Sequence, residues 1–195
     1  MSVNHPSIFN FAFLYKTYKN INMKHLLLFI SLILLASIGF AQEGTKNFGK
    51  VPAIEVKTMD GNPFNMSDIS NDGKPMIITF WATWCKPCIK EHDAINEVYE
   101  DWVDETGVKM YAISIDNARS SRQVLPLVNG KSWEFEVLLD ENGDFKRAMN
   151  VNVPPHTFIV DGSGTIVWQH VGYLEGDESE YIEIVEKLIN GESID

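Results

Sequence analysis

Met76-Ile77-Ile78-Thr79-Phe80-Trp81-Ala82-Thr83-Trp84-Cys85-Lys86-Pro87-Cys88-Ile89-Lys90-Glu91 changes its periodicity half-way along. The first six residues are almost continuously apolar, as in a central strand covered on both faces of its sheet. Beyond Cys85, the residues Cys88, Glu91, Ile95, Val98 and Trp102 recur at intervals of three and four, which places them on one face of a helix. Pro87 suits the first turn of that helix, where a missing N–H costs nothing. A buried strand therefore runs straight into a helix, and Cys85 and Cys88 sit at the junction. They are the chain's two cysteines.

That placement argues for chemistry. A disulfide across so short a loop restricts the unfolded chain by only roughly 2 kcal/mol, little help to a domain of this size. A thiol at a helix N-terminus, by contrast, meets unpaired backbone N–H groups and the positive end of the macrodipole, which favour its thiolate. Cys85 holds that position; Cys88, one turn further in, is shielded yet within reach. The expected reaction is attack of the Cys85 thiolate on an exposed disulfide, formation of a mixed disulfide, and resolution by Cys88. No organic or metal cofactor is needed.

Other readings of the pair fail on particular residues. Covalent haem attachment needs His after the second cysteine, where Ile89 stands. Zinc needs two further ligands; His92 lies one turn from Cys88, but there is no second cysteine pair. Peroxidatic chemistry is expected to carry Thr three and Pro seven residues before its cysteine, and Ala82 and Ile78 are there instead. Glu91 occupies an otherwise apolar row, a costly place for a carboxylate unless it has a task. Proton exchange with the Cys88 thiol is such a task. The alternative is a rotated helix with Glu91 solvated.

Working outward, Ile54–Lys57 and Pro63–Asn65 flank Asp60-Gly61 as a hairpin, with Pro63 confining its strand to an edge. Val108–Ile115 reads as a strand, Ser120–Val128 as a short helix, Phe135–Leu139 as a strand, and Asn142-Gly143 as a turn. Thr157–Val160 and Thr165–Val171 form a second hairpin about Asp161–Gly164. Tyr181, Ile182, Ile184, Val185, Leu188 and Ile189 give a last amphipathic helix that ends before Gly191. Strands alternating with helices imply an α/β architecture around a mixed sheet, with no repeats and a single domain over 52–195.

The 195 residues carry a net charge of −11, with 45% hydrophobic and 22% charged residues, a composition that excludes low-complexity disorder and a disulfide-rich miniprotein. Residues 1–41 hold three lysines and no acid, so the remaining 154 stand at −14. Such acidity repels phosphate backbones, and nucleic acid is a poor partner. Met23-Lys24, the apolar run Leu26–Phe40, and Gly39 and Ala41 at positions −3 and −1 form the three parts of a secretory signal. The run is shorter than the roughly 20 residues that span a bilayer comfortably. We expect Met23 as initiator and cleavage after Ala41 rather than retention as an anchor. Residues 42–51 then form a flexible leader, and the domain matures in an oxidising compartment such as the periplasm.

The stretch Phe80–Cys88 with Glu91, then Val153-Pro154-Pro155-His156-Thr157-Phe158-Ile159-Val160-Asp161 with Gly164, and Val171-Gly172-Tyr173, resemble the thioredoxin superfamily, and within it the exported thiol-disulfide oxidoreductases of the TlpA and ResA kind. The resemblance implies a thioredoxin fold with an added N-terminal β-hairpin and a helical insertion after the second core strand. It implies a cis-proline loop facing the redox pair, with Pro155 rather than Pro154 as the cis residue, and makes Cys85, Cys88, Glu91 and Pro155 the catalytic set. Trp84, Lys86, Pro87, Pro154 and His156 are the substrate-side candidates. Lys86 and His156 have equally ordinary readings, as a solvated lysine and a hydrogen-bonded structural histidine. Three departures stand out: Thr79 replaces the buried Asp of thioredoxins, Lys86-Pro87 replaces Gly-Pro, and Pro154 has no N–H to offer a bound peptide. The implied partners are protein disulfides, apocytochrome c among them, and a membrane thiol donor of electrons, with the protein itself a monomer. Its implied roles are cytochrome c maturation or envelope redox homeostasis. A metal- or haem-pathway chaperone that holds its ligand with the same cysteine pair is the alternative from another class.

Overall fold

The computed structural model describes residues 48–194. The expectations for the signal segment and for residues 42–47 lie outside them. The described residues form a seven-stranded mixed sheet in the order β2-β1-β5-β4-β3-β6-β7. Its strands are β1 (Glu55–Thr58), β2 (Pro63–Asn65), β3 (Met76–Trp81), β4 (Lys109–Ser114), β5 (Glu136–Leu139), β6 (His156–Val160) and β7 (Ile166–Val171). Strands β3, β4 and β5 run parallel, and β6, β7, β1 and β2 join antiparallel. The helices are α1 (Lys86–Thr106), α2 (Val124–Lys131), α3 (Asp144–Ala148) and α4 (Glu178–Asn190).

Strand β3 explains the layering. All six of its residues are buried, and successive side chains point to opposite faces. Ile77 and Trp81 join a core with Cys88, Ile95, Tyr99 and Trp102 of α1 and Tyr181, Ile184 and Val185 of α4. Met76, Ile78 and Phe80 join a second core with Phe145, Met149, Phe158 and Val160. Thr79 lies between Ile77 and Trp81, so its hydroxyl faces α1. Pro63 puts β2 at the sheet edge, as expected of a residue with no N–H for a second partner. Helix α1 stops at Gly107, whose φ of 67° lets its N–H close on the Val103 carbonyl; Gly191 ends α4 in the same way.

Two expectations change. Residues 48–51, placed in the flexible leader, are paired: Phe48 N–H donates to Ile166 O, Ile166 N–H to Gly49 O and Val51 N–H to Gly164 O, at 2.8 to 3.1 Å. The start of the edge strand β7 presents unpaired backbone groups, and this segment satisfies them. The Asn142-Gly143 turn opens into α3, whose first N–H groups at Phe145 and Lys146 are accepted by the carboxylate of Asp140. Five residues are too few to show a helical period.

Candidate active site

Cys85 is the N-cap of α1: its backbone is extended, with φ −87° and ψ 95°, and its Sγ accepts the Cys88 N–H at 3.3 Å. Pro87 stands in the first turn. Cys85 and Cys88 are joined in a disulfide with their Cα atoms 5.3 Å apart. Cys85 keeps 5% of its surface accessible and Cys88 none. The sulfur able to meet another molecule is therefore the one at the helix terminus, where the dipole stabilises a thiolate.

One turn behind Cys88, Glu91 is fully buried. Thr157 Oγ1 and Tyr181 OH each donate to its Oε1 at 2.8 Å, and Thr79 Oγ1 donates to Oε2 at 3.4 Å. Thr79 and Thr157 are directly opposed residues of β3 and β6, so the sheet presents two hydroxyls side by side beneath the helix. Burial outweighs these three donors and pushes the Glu91 carboxyl up to about 7, with the negative Asp177 adding to the rise. Glu91 thus sits poised between acid and carboxylate near neutral pH. The position that carries Asp in thioredoxins is here Thr79, and it serves the glutamate.

Ahead of the pair, Asp116 braces the strand-to-helix loop. Its carboxylate accepts Thr83 N–H at 2.8 Å, Thr83 Oγ1 at 2.7 Å and Ser114 Oγ at 3.0 Å. It is 1% exposed. Asp116, Thr157 and Tyr181 were not singled out from the sequence. The bonds from Thr83 to Asp116 and from Thr157 and Tyr181 to Glu91 span 33 to 90 positions, beyond what local spacing reveals.

The Pro154–Pro155 peptide is cis. Pairing of His156 with Phe80 brings this proline loop to the end of β3 from which the Cys85 loop departs, and the Pro155 carbonyl accepts the Gly172 N–H at 2.9 Å. Trp84, 63% exposed, and Val153, 55% exposed, are apolar surface on the two loops. Lys86 and Pro87 are exposed and line a groove of about 680 Å³ with Lys90, Tyr173 and Leu174.

His156 does not join this surface. It shares a face of β6 with Phe158, away from α1, stacks on that ring at 4.2 Å and pairs with Gln169 at 3.0 Å. The structure gives it the ordinary reading, a buried, hydrogen-bonded histidine of the sheet. His92, weighed as a zinc ligand, is buried among the rings of Trp81, Trp133 and Phe135 at 4.8 to 5.2 Å. Burial holds its imidazole down to about 3, so it is neutral.

The chain matches the AhpC/TSA family over residues 49–169. It is 31% identical over 138 residues to the thioredoxin-like protein YneN of Bacillus subtilis (strain 168), covering 70% of this chain and 78% of that protein. It is 32% identical over 151 residues to the thiol-disulfide oxidoreductase ResA of Bacillus thuringiensis (strain Al Hakam), covering 73% of this chain and 84% of ResA. The solution structure of an uncharacterized thioredoxin-like protein from Porphyromonas gingivalis superposes with a TM-score of 0.65 at 54% identity, over 72% of this chain and 92% of that one. The expected thioredoxin-like fold, a mixed sheet flanked by helices, is the fold observed.

Proposed function

The chain belongs to the AhpC/TSA family, and on that premise we propose that this thiol-disulfide oxidoreductase is an exported protein-disulfide reductase working through Cys85 and Cys88. The observation that carries the reading is the disulfide at the N-cap of α1 with Glu91 buried one turn behind it. In the reduced protein the Cys85 thiolate attacks a client disulfide, a Cys85–client bond forms, and one client sulfur leaves as a thiolate that takes a proton from solvent. Cys88 then gives its proton, through a water, to the Glu91 carboxylate, and its thiolate attacks the Cys85 sulfur. The Cys85–Cys88 disulfide forms and the second client thiolate is released, so two electrons have passed to the client. A thiol donor in the membrane restores the pair.

Two features support disulfide exchange at this pair. The resolving thiol is buried, where losing a proton is costly, and a carboxyl titrating near 7 supplies a local acceptor at neutral pH. Trp84, Lys86, Pro87 and the Pro154-Pro155 loop form the contact surface for a client; Pro154 lacks an N–H, so side-chain contacts matter more there than backbone pairing. Export rests on the signal-like residues 23–41, and mass spectrometry of secreted material should find Gln42 at the N-terminus. Apocytochrome c is among the clients that this reading admits.

Insulin reduction driven by dithiothreitol tests the proposal. The wild type should accelerate it, Cys85→Ser should abolish the effect, and Cys88→Ser should accumulate a mixed disulfide. A potential less reducing than the glutathione couple would reverse the proposed direction of electron flow. Absence of any acceleration, together with stable retention of a metal or haem by the pair, would favour the chaperone alternative.

A further inference from the structure

Glu91 binds its neighbours asymmetrically. Two short hydrogen bonds, from Thr157 and Tyr181, converge on Oε1, whereas Oε2 has, among the described residues, only the longer one from Thr79. We propose that Tyr181 is a positioning residue: its hydroxyl pins Oε1 as an acceptor, leaves Oε2 as the oxygen that takes and releases the Cys88 proton, and so sets the pH range of disulfide exchange. The proposal rests on the assignment of Glu91 as the proton acceptor for Cys88.

The aim of the Tyr181 hydroxyl is fixed by packing. Its ring is fully buried, lies edge-on to Trp168 at 5.5 Å, and belongs to the inward face of α4 with Ile184 and Val185. A phenol has one proton to give, and at 2.8 Å that proton is directed at Oε1. Thr79, also a hydroxyl, can donate to the carboxylate and accept from the acid, so Oε2 can change protonation without rearranging the cluster. When Cys88 resolves a mixed disulfide, its S–H bond breaks, a water relays the proton, and an O–H bond forms at Oε2. The proton later passes to solvent, with no net change in Glu91.

Among the described residues, the charged and titratable groups facing this carboxyl are few. Cys88 precedes it on its own helix, Tyr181 and Asp177 come from α4 and its N-cap, and Tyr173 from the loop before α4; β3 and β6 contribute only the neutral Thr79 and Thr157. Asp177 disfavours the anion but is itself engaged by His170 at 3.3 Å and by Leu174 N–H at 2.7 Å. Tyr181 is thus the donor from α4 that holds the anion, and removing it should make Glu91 a more tenacious acid.

The experiment is a carbon-13 titration of the Glu91 side-chain carboxyl in the oxidised protein, paired with the insulin-reduction rate from pH 5 to 9.5. Tyr181→Phe keeps the ring and deletes the hydroxyl; it should raise the Glu91 midpoint by about one pH unit and move the inflection in rate by the same amount. Thr157→Val, which removes the other donor to Oε1, should shift both in the same direction and keeps the test open if Tyr181→Phe folds poorly. A midpoint unchanged in both variants would overturn the proposal. If the midpoint moved while the rate profile stayed in place, and Glu91→Gln also left that profile unaltered, the failure would lie in the proton role of Glu91 on which the proposal rests.

Discussion

Glu91→Gln should make the folded protein less sensitive to alkaline pH, by an amount the structure sets. The folded protein holds the carboxyl at about 7, against an ordinary 4.5 in the unfolded chain. Between those values the folded state binds more protons than the unfolded state, so stability falls as pH rises. The contribution is fully present below about 4.5 and is lost as pH climbs through 7. Two and a half units at 1.36 kcal/mol each amount to about 3 kcal/mol. Glutamine has nearly the shape of the protonated acid, its carbonyl can accept from Thr157 and Tyr181, and it does not ionise. At pH 5 the variant and the wild type should therefore differ by less than about 1 kcal/mol, and at pH 9 the variant should be the more stable by about 3 kcal/mol. In thermal melts that corresponds to roughly 6 to 12 °C for a domain of this length. Urea unfolding of the oxidised forms at pH 5, 7 and 9 is the assay, because the disulfide removes both thiols from the titration. A stability difference that stayed constant within about 0.5 kcal/mol over this range would refute the argument, since it would mean that burial is not what raises the Glu91 carboxyl.

His92 should act at the opposite end of the pH scale. Its imidazole is held at about 3 by burial, so the unfolded chain binds the extra proton below 6.5 and stability falls as pH drops; His92→Phe should gain about 3 kcal/mol relative to the wild type at pH 4, read from urea midpoints. Asp116→Ala strands the Thr83 N–H and two hydroxyls and should cost about 2 to 4 kcal/mol, whereas Asp116→Asn, which keeps an acceptor, should cost less than half of that in the same assay. In the reduced protein at neutral pH, iodoacetamide should modify Cys85 well before Cys88, as peptide mapping would record; faster labelling of Cys88 would reverse the assigned roles.

The parts of this molecule legible in its sequence are those whose physical reason is local. The unbroken apolar run of Met76–Trp81 could only be a strand covered on both sides, and the junction with Cys85–Cys88 followed from a change of period within a few residues. Glu91 was legible for the same reason, because a carboxylate in an apolar stripe contradicts its surroundings within a single helix. The stripe itself was read slightly rotated: the residues that α1 buries are Cys88, Glu91, His92, Ile95, Tyr99 and Trp102, with Val98 only partly covered. Tyr99, four residues after Ile95 and three before Trp102, fits that stripe, and its hydroxyl accepts the Met110 N–H at 3.1 Å, a bond from the next strand that helical spacing does not encode. The chemistry of Glu91 depends on such bonds throughout. Thr79 and Thr157 look like ordinary strand residues, and Tyr181 like the apolar face of a terminal helix, until the sheet register and the packing of α4 bring all three hydroxyls to one carboxylate. Local pattern thus locates the residue that needs an explanation, while the topology supplies the groups that set its proton affinity. The pH dependence of this site is accordingly a property of β3, β6, α1 and α4 together, and it should respond to substitutions far from the cysteine pair in sequence.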